Sequence, residues 1–144
     1  LPWNRGADPN LWSFIEDTPK GVTIHYLDEG IDTGDIVVQK QATFSENDTL
    51  RTSYDKLQKE IQQLFRDNWA SIRQGKCGRK KQEGKGTFHL LKDRERISHL
   101  LTNGWDTPIL VLQKKESNER VTMRRLIPDG WRLHHADGCK WEWK

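Results

Sequence analysis

Mostly apolar residues recur at spacings of three and four in the middle of the chain, over roughly 25 residues. The stripe consists of Leu50, Tyr54, Leu57, Ile61, Leu64, Asn68 and Ile72. This pattern predicts one long amphipathic helix over 49–73, with Asn47 or Asp48 as its N-cap and Gly75 just past its end. Because such a helix must bury its apolar face against a second layer, the chain has to supply a sheet or other helices to cover it.

Elements before the long helix are predicted to supply that layer. Two prolines and a glycine make 1–10 a loop, followed by a short helix over 11–16 with Asn10 as its N-cap. β-Branched and aromatic residues then predict strands over 22–27 and 35–44. Ile36, Val37 and Val38 suit the interior of a sheet.

A different pattern follows the long helix. The segment 76–86 is rich in glycine and contains Lys76, Arg79, Lys80, Lys81 and Lys85, which predicts a basic loop. A second, shorter helix is predicted over 92–101, with Ile97, Leu100 and Leu101 facing inward. Strand-like runs at 109–112, 120–127, 131–135 and 139–143 predict a small β-meander. We therefore expect an α/β domain over 1–108 and a β-rich extension over 109–144.

Composition excludes several classes of function. The formal net charge of +3 is too small to indicate nucleic-acid binding by itself. No apolar run reaches the roughly 18 residues of a membrane span, and no secretory leader pattern precedes the first motif, so we expect a cytoplasmic protein. Cys77 and Cys139 form no CxxC motif and no cluster with histidines, so neither a metal site nor a disulfide framework is expected.

The segment that joins the two predicted strands carries the chemistry. It places four acidic residues and two glycines within residues 28–35, where like charges shift one another's pKa values and glycines let backbone amides approach a ligand. Such a loop suits a polar heterocycle. The plainer alternative is a solvated acidic turn between two strands.

Three stretches resemble the folate-dependent formyltransferases, a family that includes methionyl-tRNA, glycinamide ribonucleotide and amino-sugar formyltransferases. Gly-Val-Thr-Ile-His at 21–25 and Asp-Glu-Gly-Ile-Asp-Thr-Gly-Asp-Ile at 28–36 resemble the family's signature. Leu-Pro-Trp-Asn-Arg-Gly at 1–6 is similar to the segment that follows its catalytic Asn and His, and 86–108 is similar to the amino-sugar branch. The resemblance implies an α/β fold, namely the latter half of a Rossmann-like formyltransferase domain with a small β-rich C-terminal extension.

The resemblance also implies an activity and a set of site residues. N10-formyltetrahydrofolate would donate a formyl group to a small-molecule primary amine, here an amino-sugar nucleotide, and Asp32 would be catalytic. The folate would lie against the loop residues Leu27, Asp28, Glu29, Gly30 and Ile31. His25 would help to orient Asp32, although a lone strand histidine is more often structural. The family's catalytic Asn and His would lie upstream of Leu1, so we expect the chain to be an inactive fragment when alone.

Several alternatives remain open. Asn4 and Arg5 would border the acceptor site, where an Arg suits a phosphorylated substrate, but capping or salt-bridging is equally compatible with them. A methionyl-tRNA acceptor is the alternative enzyme, and it would predict RNA binding by the basic loop. From another class, the chain could be a non-catalytic binding module whose tail mediates oligomerisation, for example as a homodimer.

Overall fold

The chain divides into two units, Leu1–Gln113 and Lys114–Lys144. The computed structural model describes residues 1–113 together with the backbone of 131–134 and 140–143. The elements of the first unit, in chain order, are β1 Arg5–Gly6, α1 Pro9–Ile15, β2 Gly21–His25, β3 Ile36–Gln41, α2 Leu50–Arg73, β4 Phe88–His89 and two 3₁₀ helices, Leu91–Leu100 and Gly104–Asp106. The second unit contains β5 Trp131–His134 and β6 Lys140–Trp143.

Strands β2 and β3 form an antiparallel pair in which Gly21 lies opposite Gln41 and Ile24 opposite Val38. The register is irregular between Ile24 and His25, just before the connecting loop. This pair confirms the two predicted strands, each shorter than expected. Of the three residues predicted to lie inside a sheet, only Ile36 is buried.

The predicted long helix is confirmed as α2, but its N-cap is Thr49 and not Asn47 or Asp48. The Thr49 hydroxyl accepts from the Thr52 amide at 3.2 Å, and the Thr52 hydroxyl accepts from the Thr49 amide at 2.9 Å. This reciprocal arrangement satisfies two amides that the first helical turn leaves unpaired. Asp48 does not cap the helix because its carboxylate binds Ser45 and Lys56 instead.

The main hydrophobic cluster lies at the start of α2. Its buried members are Leu11, Phe14, Leu50, Leu100, Ile109 and Leu112. Phe44 packs edge-on against Phe14 with ring centroids 5.4 Å apart. Farther along α2, Phe65 and Trp69 pack on each other at 5.3 Å, yet each remains nearly half exposed. The described residues therefore cover the first turns of the helix better than its later ones.

Helix α1 begins at Pro9, two residues earlier than predicted, and Asn10 is not its N-cap. The Asn10 side chain donates from Nδ2 to the Leu50 carbonyl at 3.1 Å and to the Ser53 hydroxyl at 3.0 Å. Its amide ties α1 to α2 instead of capping α1, because proline in the first turn already has no amide hydrogen to satisfy.

The segment after β4 departs from prediction in two ways. The helix predicted over 92–101 is a 3₁₀ helix, Leu91–Leu100, in which Leu100 is buried while Ile97 and Leu101 pack against the core as expected. The strand predicted over 109–112 is wrong, since 109–113 are helical. Ile109 and Leu112 are both buried, and a spacing of three places them on one helical face. A short apolar run cannot distinguish these two structures by itself.

In the second unit β5 and β6 are antiparallel, with Trp131 opposite Trp143 and His134 opposite Lys140. They confirm the predicted strands over 131–135 and 139–143 in their described parts, whereas the strand predicted over 120–127 lies outside the described residues. Residues 109–113 lie with the first unit, and the predicted division into 1–108 and 109–144 stays a prediction for the rest of the tail. No helix among the described residues is long and apolar enough to cross a membrane.

Candidate active site

The acidic loop, residues 28–35, closes on itself through Asp28. One oxygen of this carboxylate accepts from the Gly30 amide at 3.0 Å and from the Thr33 hydroxyl at 2.5 Å. The hydrogen bond from Thr33 lowers the pKa of Asp28 below its ordinary value, with smaller contributions from the Gly30 amide and from His25. Asp28 therefore shapes the loop and remains ionised near neutral pH.

The Asp32 side chain is held on one oxygen and open on the other. Oδ2 accepts from the Gly6 amide at 2.9 Å, while Oδ1 lies 3.6 Å from Nε2 of His25. The side chain keeps 38% of its accessible surface. Its backbone is left-handed, with φ of 55°, which is uncommon for a residue other than glycine. The Oδ1 oxygen of Asp32 therefore remains accessible to a further hydrogen-bond donor.

His25 lies between two acceptors. Its Nδ1 is 2.8 Å from the Tyr26 carbonyl oxygen, which can only accept, so Nδ1 carries the hydrogen. Its Nε2 faces the Asp32 carboxylate. The imidazolium form is the one that offers a hydrogen to both neighbours. This geometry is compatible with the predicted role of His25 in orienting Asp32, which stays a prediction.

Gly6 reaches Asp32 because β1 pairs in parallel with β4, a pairing that the sequence did not reveal. Arg5 lies opposite Phe88 and Gly6 opposite His89. Gly6 has φ of 88°, and a Cβ there would lie 2.3 Å from the His89 carbonyl oxygen. Only glycine fits this position without displacing β4. Strands of two residues have no periodic pattern, so this contact could not be predicted from the sequence.

The basic loop also lies against the acidic loop. The Arg79 guanidinium sits over the Tyr26 ring at 3.9 Å and pairs with Asp35 at 3.1 Å. The backbone of Lys80 exchanges two hydrogen bonds with Ile36, of 2.7 and 3.0 Å. Gln82 donates from Nε2 to the carbonyls of Asp32 and Gly34, both at 2.8 Å. Sequence reasoning missed Gln82, because an isolated glutamine in a basic segment gives no signal.

The remaining predicted site residues fall into two groups. Leu27, just before the acidic loop, is 91% exposed. Within the loop, Ile31 is 58% exposed, and Glu29 and Gly30 are exposed as well. Asn4, by contrast, is buried. Its Nδ2 donates to the Thr18 hydroxyl at 2.5 Å and its Oδ1 accepts from the Thr87 hydroxyl at 3.1 Å. Asn4 therefore joins three segments, and its predicted place beside an acceptor stays a prediction.

Arg5, the first residue of β1, directly follows Asn4. Its Nη2 donates to the Lys85 carbonyl at 3.5 Å, and its Nε is buried without a hydrogen-bond partner. These contacts are compatible with a structural role and leave the predicted acceptor contact untested.

An open groove of about 600 Å³ borders Asn4 but does not include the acidic loop. Its lining includes Trp3, Lys20, Lys40, Tyr54 and Ile61. Among residues 1–113 no three His, Cys, Asp or Glu side chains are grouped so that they could hold a metal ion. This groove and the Asp32 carboxylate are therefore separate features of the first unit.

Comparison with known sequences places this geometry in a family. A family model described as Formyl transferase matches residues 1–68, a range that contains β1, the acidic loop and Asp32. The chain belongs to the formyl transferase family. A dTDP-4-amino-4,6-dideoxyglucose formyltransferase of Mycobacterium bovis is 31% identical over 102 residues, which cover 71% of this chain and 44% of the relative. A methionyl-tRNA formyltransferase of Prochlorococcus marinus is 43% identical over 77 residues, covering 53% and 24%.

Solved formyltransferase structures share the fold. The crystal structure of the formyltransferase PseJ from Anoxybacillus kamchatkensis, in complex with UDP-4,6-dideoxy-4-formamido-L-AltNAc and tetrahydrofolate, is 57% identical with a TM-score of 0.78. The match covers 81% of this chain and 61% of PseJ. A 4-N formyltransferase from Francisella tularensis is 33% identical with a TM-score of 0.64, covering 67% and 40%. The matches cover between 24% and 61% of the length of these formyltransferases, and the α/β fold of the chain corresponds to a part of theirs.

Proposed function

We propose that the protein transfers a formyl group from N10-formyltetrahydrofolate to the primary amine of a sugar nucleotide. The observation that carries this proposal is the 57% identity to PseJ, whose structure contains a UDP-linked formamido sugar and tetrahydrofolate. The acidic loop adds a geometric reason, because it holds one carboxylate beside a histidine and leaves an oxygen open.

The acidic loop fits a folate in its chemistry. A pterin ring has apolar faces and a polar edge. Leu27 and Ile31 offer exposed apolar side chains, while Glu29 and the backbone at Gly30 are exposed polar groups on the same loop. Large apolar side chains left in solvent at a polar turn are typical of a ligand-binding surface. We infer that Leu27, Asp28, Glu29, Gly30 and Ile31 hold the folate, with Asp28 contributing through the shape of the loop.

Asp32 has the role that formyl transfer requires of a carboxylate. The new bond joins the amine nitrogen to the formyl carbon, and the bond from that carbon to the folate nitrogen breaks. The amine must therefore lose a proton and the folate nitrogen must gain one. The open oxygen of Asp32 can accept the proton that the amine loses and return it to the folate nitrogen. Two further predictions, a cytoplasmic location and a homodimer, also form part of the proposed function.

A methionyl-tRNA acceptor is the second candidate, supported by the 43% identity to the Prochlorococcus marinus enzyme. The structure gives it less support, because Arg79 of the basic loop is engaged by Asp35 and Tyr26. Salt-sensitive binding of tRNA would favour this candidate.

The test uses the protein encoded by the complete gene, with N10-formyltetrahydrofolate as donor. A UDP-linked 4-amino-4,6-dideoxy sugar is one acceptor and methionyl-tRNA the other, and mass spectrometry detects the formamide. We expect formylation of the sugar nucleotide and not of the tRNA. Formylation of methionyl-tRNA alone would select the second candidate. If neither acceptor is formylated while the protein still binds folate, the sugar-nucleotide assignment is wrong.

A further inference from the structure

The backbone of Asp32 needs an external support. Its left-handed conformation, with φ of 55°, costs a residue with a Cβ about 1 kcal/mol or more relative to the right-handed region. Asp28, Gly30 and Thr33 close the turn around it but donate nothing to Asp32 itself. Residues 28–31 of the loop are exposed, so contacts from other parts of the fold are needed to help hold this conformation.

Gln82 supplies that support from a distant part of the sequence. Its Nε2 donates to the carbonyls of Asp32 and Gly34, one on each side of Thr33, both at 2.8 Å. The two carbonyls fix the orientation of the amide, because the opposite orientation would direct oxygen at oxygen.

The segment that carries Gln82 is itself fixed. We call residues 79–82 the brace. Lys80 exchanges two backbone hydrogen bonds with Ile36, so the brace runs antiparallel to the start of β3. Arg79 pairs with Asp35 and covers the Tyr26 ring. Gln82 is therefore placed by contacts of the brace with Tyr26, just after β2, and with Asp35 and Ile36 at the start of β3, and not by its own two hydrogen bonds alone.

We propose that Gln82 is a positioning residue for Asp32, holding its carboxylate beside His25 and the Gly6 amide for formyl transfer. The proposal rests on the proposed function for its kinetic consequence and on geometry for its structural one. Gln82 touches the backbone of Asp32 and not its carboxylate, so it acts through the conformation of the turn. A displacement of about 1 Å at a reacting group lowers rates by up to about a hundredfold.

The kinetic test compares three variants of the protein encoded by the complete gene. Gln82→Ala removes the amide, Gln82→Glu keeps the length of the side chain but places oxygens against the two carbonyls, and Glu83→Gln changes an exposed neighbour outside the brace as the matched control. We expect both Gln82 variants to lower kcat by about ten- to a hundredfold with little change in the KM of the amine acceptor. Glu83→Gln should retain the parent kcat.

A double-mutant cycle separates positioning from general destabilisation. In an Asp32→Asn background, Gln82→Ala should cause no further loss of rate, because there is no longer a carboxylate to position. A full additional loss in that background would overturn the proposal. So would parent-like kinetics of both Gln82 variants.

A readout independent of activity keeps the proposal testable even if no acceptor is formylated. The Gly6 amide donates to the Asp32 carboxylate, so its hydrogen exchange reports whether the carboxylate is in place. We expect faster exchange at Gly6 in Gln82→Ala and unchanged exchange in Glu83→Gln. Unchanged exchange in Gln82→Ala, with circular dichroism confirming that each variant is folded, would refute the positioning role. Faster exchange without formyl transfer would refute the proposed function alone.

Discussion

Asp32 and Asp48 are two turn aspartates that the fold treats differently. Asp48 keeps only 8% of its side-chain surface and accepts from the Ser45 amide at 2.7 Å, the Thr52 hydroxyl at 2.9 Å and the Lys56 ammonium at 2.6 Å. Asp32 keeps 38% and accepts one hydrogen bond, from Gly6. The protein donates three hydrogen bonds to the Asp48 carboxylate. Among the described residues, the Asp32 carboxylate accepts one hydrogen bond, on Oδ2, and its Oδ1 remains open.

The origin of the donors also differs. Every partner of the Asp48 carboxylate lies within eight residues of it, on the same turn or on the first turns of α2, although its backbone carbonyl accepts from the distant Ile109 amide. The supports of Asp32 come from Gly6, 26 residues earlier, and from Gln82, 50 residues later. A carboxylate satisfied by its own turn stabilises that turn. A carboxylate that distant segments hold in place and leave partly open, like that of Asp32, is the one that we propose for a partner outside the chain.

The largest expected effect is on the reaction. Asp32→Asn in the protein encoded by the complete gene should lower the rate of formyl transfer by about 10²- to 10⁴-fold, the usual contribution of a positioned acid or base. Thermal stability should hardly change, because the asparagine Oδ1 can still accept from the Gly6 amide. Parent-like turnover would remove Asp32 from the mechanism, and a large fall in Tm would show that it is structural.

The isosteric change at the other aspartate should have the opposite result. Asp48→Asn should lower the free energy of unfolding by about 2 kcal/mol, since it removes charge-assisted hydrogen bonds and places an NH₂ group among donors. Urea denaturation of the same protein measures this. Formyl transfer by the folded fraction should remain at the parent level. If Asp48→Asn costs no stability, the contrast between the two aspartates is wrong.

A smaller effect is expected at the neighbouring cap. Thr49→Ala removes the acceptor for the Thr52 amide and should cost about 1 kcal/mol, whereas Thr49→Ser keeps the hydroxyl and should cost much less. Urea denaturation of the two variants side by side checks this. Equal losses would mean that the threonine methyl group, and not the cap, carries the stabilisation.

The smallest effect concerns pH. The hydrogen bond from Lys56 holds the pKa of Asp48 below its ordinary value, assisted by Ser45 and Thr52. A carboxyl whose pKa is depressed in the folded state stabilises the protein above its unfolded pKa and loses that contribution as pH falls through the folded pKa. The stability difference between the parent and Asp48→Asn should therefore shrink as the pH falls from about 5 to about 2. A difference that stays constant over this range would contradict the cited cause.

The sequence predicted the elements whose pattern is local. The stripe from Leu50 to Ile72 predicted α2, and β-branched runs predicted β2 and β3, because helices and strands imprint their own periods on the residues. Prediction failed where one residue pattern is compatible with two kinds of secondary structure. The run at 109–112 suits a strand or one helical face, and burial of Ile109 and Leu112 in the core decided for the helix.

The candidate site was predicted only in part, for the same physical reason. The acidic loop and Asp32 stand out because four acidic residues and two glycines are unusual in so short a turn. The groups that hold Asp32 do not stand out in the sequence. Gly6 acts through its backbone amide, and Gln82 acts through a side-chain amide in a segment predicted to be a charged loop. Contacts between distant short segments leave no period in the sequence.

We propose that Asp32 offers an open carboxylate oxygen to a ligand, whereas hydrogen bonds from the protein already occupy the Asp48 carboxylate. Carbon NMR of the protein encoded by the complete gene, with ¹³C-labelled aspartate carboxyl groups, tests it directly when a non-reacting formyl folate is added. Asp32→Asn and Asp48→Asn assign the two signals by their disappearance. We predict that the Asp32 signal shifts on addition of the folate and that the Asp48 signal does not. A shift at Asp48 with none at Asp32 would contradict the account.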